Sequence, residues 1–151
     1  MKIIILLVCF FPFIACAQSD SISVPPESEM VSMNDTKVKY GGQYGQRYFA
    51  NGSKVPYTGF LYASYDNGKL ESVQQFVDGI GNGIWIDYAP DGKKVGQGTL
   101  IDNRVEGPVT FFYEDGSIKS KGKYLDWKRP IGLWTFYDRK GNIVSTRRYT
   151  R

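Results

Sequence analysis

Side chains able to do chemistry are few in this 151-residue chain, and they are spaced in an orderly way. There is no histidine, and the two cysteines, Cys9 and Cys16, both fall in the first seventeen residues. Thiol catalysis, imidazole-based triads and His/Cys zinc sites therefore have no residues to work with in the remainder. Carboxylates, lysines and aromatic rings are left. Asp87 with Glu114 is the pair that acid–base hydrolysis would use, provided a cleft raised one of the two pKa values. Asp78, Asp102 and Asp126 recur every 24 residues. Such a row suggests calcium, but the closely spaced acidic ligands of a calcium loop are missing, and aspartates that form turns are the other account. Lys119, Lys121 and Lys123 alternate, so on a strand they share a face. That face would meet anionic headgroups or cell-wall polymer, or simply be the solvated side. Trp85, Tyr88, Trp134 and Tyr137 recur in two places and would form either a stacking platform for sugars and partner side chains or the core itself. These groups make no catalytic constellation, so the expectation is a protein that is not an enzyme and uses no cofactor or metal.

The elements that position these residues follow from a repeat. GFLYASYDNG (59–68), GIWIDYAPDG (83–92), GPVTFFYEDG (107–116) and GLWTFYDRKG (132–141) share one frame, with periods of 24, 24 and 25 residues. Runs rich in Tyr, Phe, Val and Ile are punctuated by Asn51-Gly52, Asn67-Gly68, Asp91-Gly92, Asp115-Gly116 and Lys140-Gly141; Asn-Gly and Asp-Gly tolerate positive φ at both central positions of a type I′ turn and so predict hairpins. No helical period is sustained, and no helix is expected after the N-terminal segment. Each hairpin is too small to be stable alone and must bury its apolar surface against the next. The rings at the third and sixth positions of a unit, such as Trp85 and Tyr88, are three residues apart. On a regular strand they would lie on opposite faces, so either a bulge separates them or both faces carry rings. Small residues recur in the return strands as Ser72, Gly96, Ser120 and Ser145, followed by Gly98 and Gly122. They leave flat backbone on which a neighbouring ring could lie. Arg147, Arg148 and Arg151 make the last strand basic, as expected of a frayed, soluble end.

The N-terminus reads as an export signal over 1–17: a positive start at Lys2, then an apolar run from Ile3 to Ile14 too short for a permanent membrane helix. Ala15 and Ala17 suit ordinary signal peptidase; alternatively, Phe13-Ile14-Ala15-Cys16 resembles a lipobox whose Cys16 would be acylated. Either way the expected location is outside the cytoplasm, whether periplasmic, secreted or membrane-anchored as a lipoprotein. Membrane contact is expected only through Cys16. Residues 18–36 are polar with Pro25-Pro26 at the centre and read as a flexible linker. Residues 37–151 form the repeat domain, with a degenerate opening hairpin at 37–58. Without Lys2, 18 basic residues face 15 acidic ones, a balance that argues against nucleic acid as a partner.

The frame G-x-W-x-x-Y-x-x-D-G followed by Lys, as in Gly83, Trp85, Tyr88, Asp91, Gly92 and Lys93, resembles the MORN repeat in its bacterial variant form. So does the lead-in Asn51-Gly52-Ser53-Lys54-Val55-Pro56-Tyr57-Thr58-Gly59. The resemblance covers about residues 48–151, with Val109 in place of Trp and with Leu61 and Ser64 replacing both aromatics of the first unit. It implies an all-β fold, an array of stacked antiparallel β-hairpins in an elongated twisted sheet. It also carries the label of a YwqK-type antitoxin. The function expected is an exported, non-catalytic module for protein–protein interaction in the bacterial cell envelope. The alternative is a module for carbohydrate or anionic lipid, and a hydrolase using a carboxylate pair is the remote one.

Overall fold

In a computed structural model, residues 23–126 and 129–150 are described. They contain eleven strands, two 3-10 turns and no α-helix. Nine strands form one sheet in which successive hairpins lie side by side. After the short β1 (Val31–Ser32) come β4 (Gly59–Ser64), β5 (Leu70–Val77), β6 (Ile80–Tyr88), β7 (Lys94–Ile101), β8 (Arg104–Phe112), β9 (Ile118–Leu125), β10 (Arg129–Tyr137) and β11 (Ile143–Tyr149). Every pairing is antiparallel except that of β1, which runs parallel to β4 through Val31↔Leu61 and Ser32↔Tyr62. A separate hairpin, β2 (Thr36–Tyr40) with β3 (Gln46–Ala50), lies outside this sheet.

The turns depart from expectation in an instructive way. At Asn67-Gly68, Asp91-Gly92, Asp115-Gly116 and Lys140-Gly141 only the glycine has positive φ, for example +89° at Gly92. Each loop closes with an i→i+3 bond such as Gly92 N–H to the Ala89 carbonyl at 2.8 Å. This is a type I turn followed by a left-handed glycine, the three-residue hairpin, in place of the type I′ turn. Side chains support it: Asn67, Asp91 and Asp115 each accept a bond from the backbone N–H two residues on, at 3.0, 3.0 and 2.9 Å, which fixes the backbone of that residue and of the glycine after it. Type I′ geometry occurs instead at the opposite ends of the strands. There Asp78-Gly79 (φ 51° and 76°) and Asp102-Asn103 (φ 52° and 64°) link one unit to the next in two residues.

Two bulges recur in the units. One falls at the lead glycine: Gln74↔Trp85 and Phe76↔Gly81 leave Gln75 opposite three residues, with Gly83 at φ +124°. The other lies between Asp87 and Tyr88 and recurs at Phe111/Phe112 and Phe136/Tyr137. The extra residue of this second bulge, Val95 between the Lys94 and Gly96 partners, lies in the return strand, so Trp85 and Tyr88 keep the ordinary alternation and both faces of the sheet carry rings. Trp85, Val109 and Trp134 share one face with Phe111 and Phe136, whose rings pack against them.

That face holds the core: Trp85, Leu100, Val109 and Trp134, with Val105, Phe111, Tyr124, Phe136 and Tyr149 packed around them. Trp134 meets Tyr124 at 5.1 Å between ring centroids, Tyr149 at 6.2 Å and Phe111 at 6.4 Å. The small-residue columns make this possible. A Cβ on Gly122 would overlap the Trp134 ring, and one on Gly98 would sit 2.8 Å from Val109 and 2.9 Å from the Trp85 indole nitrogen. The two indoles lean towards each other over β7 and β9, and burial of ring area is the large stabilising term of such a sheet.

Residues 27–36, expected to belong to the linker, instead lie against the sheet. Glu27–Glu29 and Met33–Asp35 form 3-10 turns, Met30 is buried, and β1 lines the outer edge of β4. A single anchor, Met30, and edge pairing suffice where composition suggested nothing would hold the segment.

Candidate functional site

Trp85 and Trp134 are 4% and 5% exposed, so they are core and offer no ring face to a sugar. Tyr88 and Tyr137 are half-buried, and their carbonyls accept bonds from the hydroxyls of Tyr65 (2.8 Å) and Tyr113 (2.9 Å), each about one repeat away. These bonds stitch neighbouring turns together. So do the ion pair of Arg139 with Asp115 (3.0 Å) and the bond from Lys69 Nζ to the Asp91 carbonyl (2.8 Å). Trp85 and Trp134 therefore work inside the stack, and Tyr88 and Tyr137 contribute their backbone carbonyls to it. Asp78, Asp102 and Asp126 occupy left-handed turn positions at the opposite end. Asp78 meets Arg47 at 3.0 Å, and Arg104 lies between Asp102 (3.9 Å) and Asp126 (3.5 Å). Asp87 lies near the end of β6 and Glu114 in the turn after β8, at the same end of the sheet, with β7 between their strands. Cys16 and the rest of the expected export signal over 1–17 lie outside the described residues.

Lys119, Lys121 and Lys123 alternate along β9 and are all exposed, on the face opposite the aromatic core. Register extends this face. Lys121 pairs with Thr110 and Thr135, Lys123 with Pro108 and Ile131, and Arg148 on β11 lies opposite the half-exposed Leu133. Within β8–β11 there are seven cationic residues (Arg104, Lys119, Lys121, Lys123, Arg129, Arg147, Arg148) and one carboxylate, Glu106. Strands β4–β7 have one cation, Lys94, against Glu71 and Asp87. The mild net charge of the chain conceals this imbalance, which counting by unit would have revealed.

The outermost strand, β11, completes the candidate site. It is exposed from Ile143 to Arg148, and among the described residues nothing pairs with its outer side. Ile143 and Val144 are 64% and 61% exposed. Arg147 lies within 5.9 Å of the Tyr149 ring and stands in the column that Gly98 and Gly122 fill elsewhere. The next turn is electrostatically set: the Ser117 hydroxyl and amide and then the Arg139 guanidinium lower the Asp115 carboxyl to about 2.

The opening hairpin is tied to the other end of the sheet by Asn103, a residue the sequence did not single out. Its carboxamide accepts from Gly81 N–H (2.6 Å) and donates to the Tyr44 and Gln46 carbonyls (2.8 Å each). Tyr48 packs at a tilt against Phe76, with 4.8 Å between ring centroids. At the tip of the hairpin, Tyr40, Tyr44, Phe49 and Lys39 line an open groove of about 450 Å³.

Residues 105–126, which are β8, its turn and β9, match the family described as MORN repeat variant. No curated protein matches the chain. Among solved structures, the chain is similar to the crystal structure of TarM (15% identity, TM-score 0.39, covering 76% of this chain and 19% of that one). It is similar also to a mutant TarM from S. aureus in complex with Fondaparinux, alpha-GlcNAc-glycerol and UDP (14% identity, TM-score 0.39, covering 76% of this chain and 20% of that one). The chain thus spans about a fifth of the length of these proteins.

Proposed function

We propose that the chain, whose residues 105–126 match the MORN repeat variant family, is an exported, non-catalytic repeat scaffold that binds another protein of the bacterial cell envelope. The observation that carries this reading is the division of labour within the sheet. The rings are consumed by packing, whereas β8–β11 offer a basic face and an unpaired edge. An open edge and a flat charged face suit macromolecular docking; a pocket that would desolvate a carboxylate is what a hydrolase would need. The antitoxin label adds nothing that these residues support.

The test is capture from envelope extracts with the full chain, read by mass spectrometry. One defined protein, recovered repeatedly, is the expected result. Recovery of none, together with specific retention on a glycan array or on anionic vesicles, would replace this reading with the carbohydrate or lipid module. The exposed Lys119, Lys121 and Lys123 are the feature that favours that second reading. Mass spectrometry of the mature N-terminus checks export: an acylated Cys16 or a terminal Gln18 is expected, and an intact Met1 would oppose it.

A further inference from the structure

We infer that the outer edge of β11 is the docking strand and that its occupant is an extended acidic segment of a partner protein, added as a tenth strand of the sheet. The inference rests on the protein-binding reading above and names the partner's chemistry.

Internal junctions supply the template. Each of the return strands β5, β7 and β9 takes the next unit's lead strand antiparallel on its outer side. β11 is a return strand in the same register with β10, through Trp134↔Arg147, Thr135↔Thr146 and Phe136↔Ser145, and its outer side is unpaired among the described residues. A strand added there gains main-chain hydrogen bonds irrespective of sequence. Side chains then decide which strand fits.

Another lead strand of the same kind is a poor match. At the β7–β8 junction Gly98 faces Val109, and at the β9–β10 junction the Trp134 ring rests on Gly122, where even a Cβ would collide. At the β5–β6 junction the column holds the neutral Gln74 opposite Trp85. In β11 it holds Arg147, and the Trp or Val of a lead strand would bring no carboxylate to that charge. A second copy is hindered at its other end too, because its β4 edge is partly covered by β1. Pairing β11 with another β11 would gather four guanidinium groups along one seam without a carboxylate.

Charge complementarity selects the occupant. Arg147 and Arg148 are successive, so they project to opposite faces, and among the described residues neither has a carboxylate partner. Ile143 and Val144 are the most exposed aliphatic residues of the strand. An antiparallel occupant therefore presents adjacent carboxylates in its N-terminal half, one to each arginine, and apolar residues in its C-terminal half. Charged residues also discourage edge aggregation; the proposal adds that this same charge selects a partner.

The probe is an end-capped ten-residue peptide with two adjacent glutamates in its N-terminal half and Val-Thr-Ile in its C-terminal half, titrated into the full chain and followed by NMR. Saturable shifts and slowed amide exchange confined to 143–149 and the facing part of β10 are expected. Affinity should fall at least tenfold in the R147E/R148E protein. It should fall as far for a peptide with proline at alternate positions, which cannot donate to the edge. Equal binding of the proline peptide, or binding lost on K119S/K121S/K123S substitution but retained by R147E/R148E, would overturn the edge assignment, as would no binding at millimolar peptide. Thermal melts confirm that the variants remain folded. If R147E/R148E still captures the envelope partner, protein binding stands and the edge assignment falls. If the wild-type chain captures none, the parent reading falls whatever the peptide does.

Discussion

Strands β5–β7 and strands β8–β11 are built from the same repeat, yet they end in different surfaces. A single row on the face opposite the core makes this visible as it crosses the sheet: Tyr62, Val73, Ile86, Gln97, Thr110, Lys121, Thr135 and Thr146 are successive cross-strand partners. Val73 and Ile86 are fully buried and Gln97 nearly so, whereas Lys121 and Thr146 are exposed. The first region is thus enclosed on two faces, and β4 and β1 border it. The second has one buried face, one basic face and, among the described residues, an unpaired edge. A repeat fixes the backbone and the core column, and the remaining columns are free to differ from unit to unit. That is where the function is expected to lie.

The comparison can be broken most severely through the column the two regions share. Trp134→Ala removes the ring that contacts Phe111, Tyr124, Phe136 and Tyr149, and a loss of about 3–5 kcal/mol is expected in urea unfolding. Were Trp134 a binding platform, the same variant would unfold like the wild type and lose only ligand. Gly98→Ala places a methyl between Val109 and the Trp85 indole, and about 1–3 kcal/mol of destabilisation is expected from the overpacking. Asn103→Ala leaves the Gly81 N–H and two carbonyls of the opening hairpin without their partner. Its cost of about 1–3 kcal/mol should appear chiefly as faster amide exchange in β2 and β3. Lys121→Ser, on the basic face, should change stability by no more than about 0.5 kcal/mol, which sharpens the distinction between structural and surface columns.

The smallest effect is a pH dependence at the second region's turns. Asp115 is held at about 2, below the ordinary carboxylate range, by Ser117 and Arg139. A depressed carboxyl stabilises the fold above its unfolded pKa, near 3.8, and that contribution is lost as pH falls through 2. The group is solvent-exposed, so the contribution is small. An NMR titration of the Asp115 carboxyl should show a midpoint near 2 that moves upward in Arg139→Gln.

Much of this architecture was legible in advance, because a period of 24 and the paired glycines reflect backbone geometry that side chains cannot evade. The floor glycines Gly98 and Gly122 were equally readable, since a missing Cβ matters only where something lies on it. Turn chemistry was misassigned at Asp91-Gly92 and its equivalents because the same dipeptide serves two turns. The aspartate's bond to the Lys93 amide selects the longer one. The packing of Met30 and the role of Asn103 were hidden because both depend on contacts distant in sequence, with Asn103 and Gln46 57 positions apart. The basic character of β8–β11 was legible only in part. Lys119, Lys121 and Lys123 announced a shared face, but that Arg148 joins it and Arg147 takes a glycine's column required the register.

Residue-resolved amide hydrogen exchange on the full chain tests the division of the sheet most directly. The amides of β5–β7 should exchange only through global unfolding, and the β11 amides that point away from β10 should exchange faster by orders of magnitude. Protection of those β11 amides equal to that of β6 and β7 would mean that the edge is already covered, and it would contradict the account.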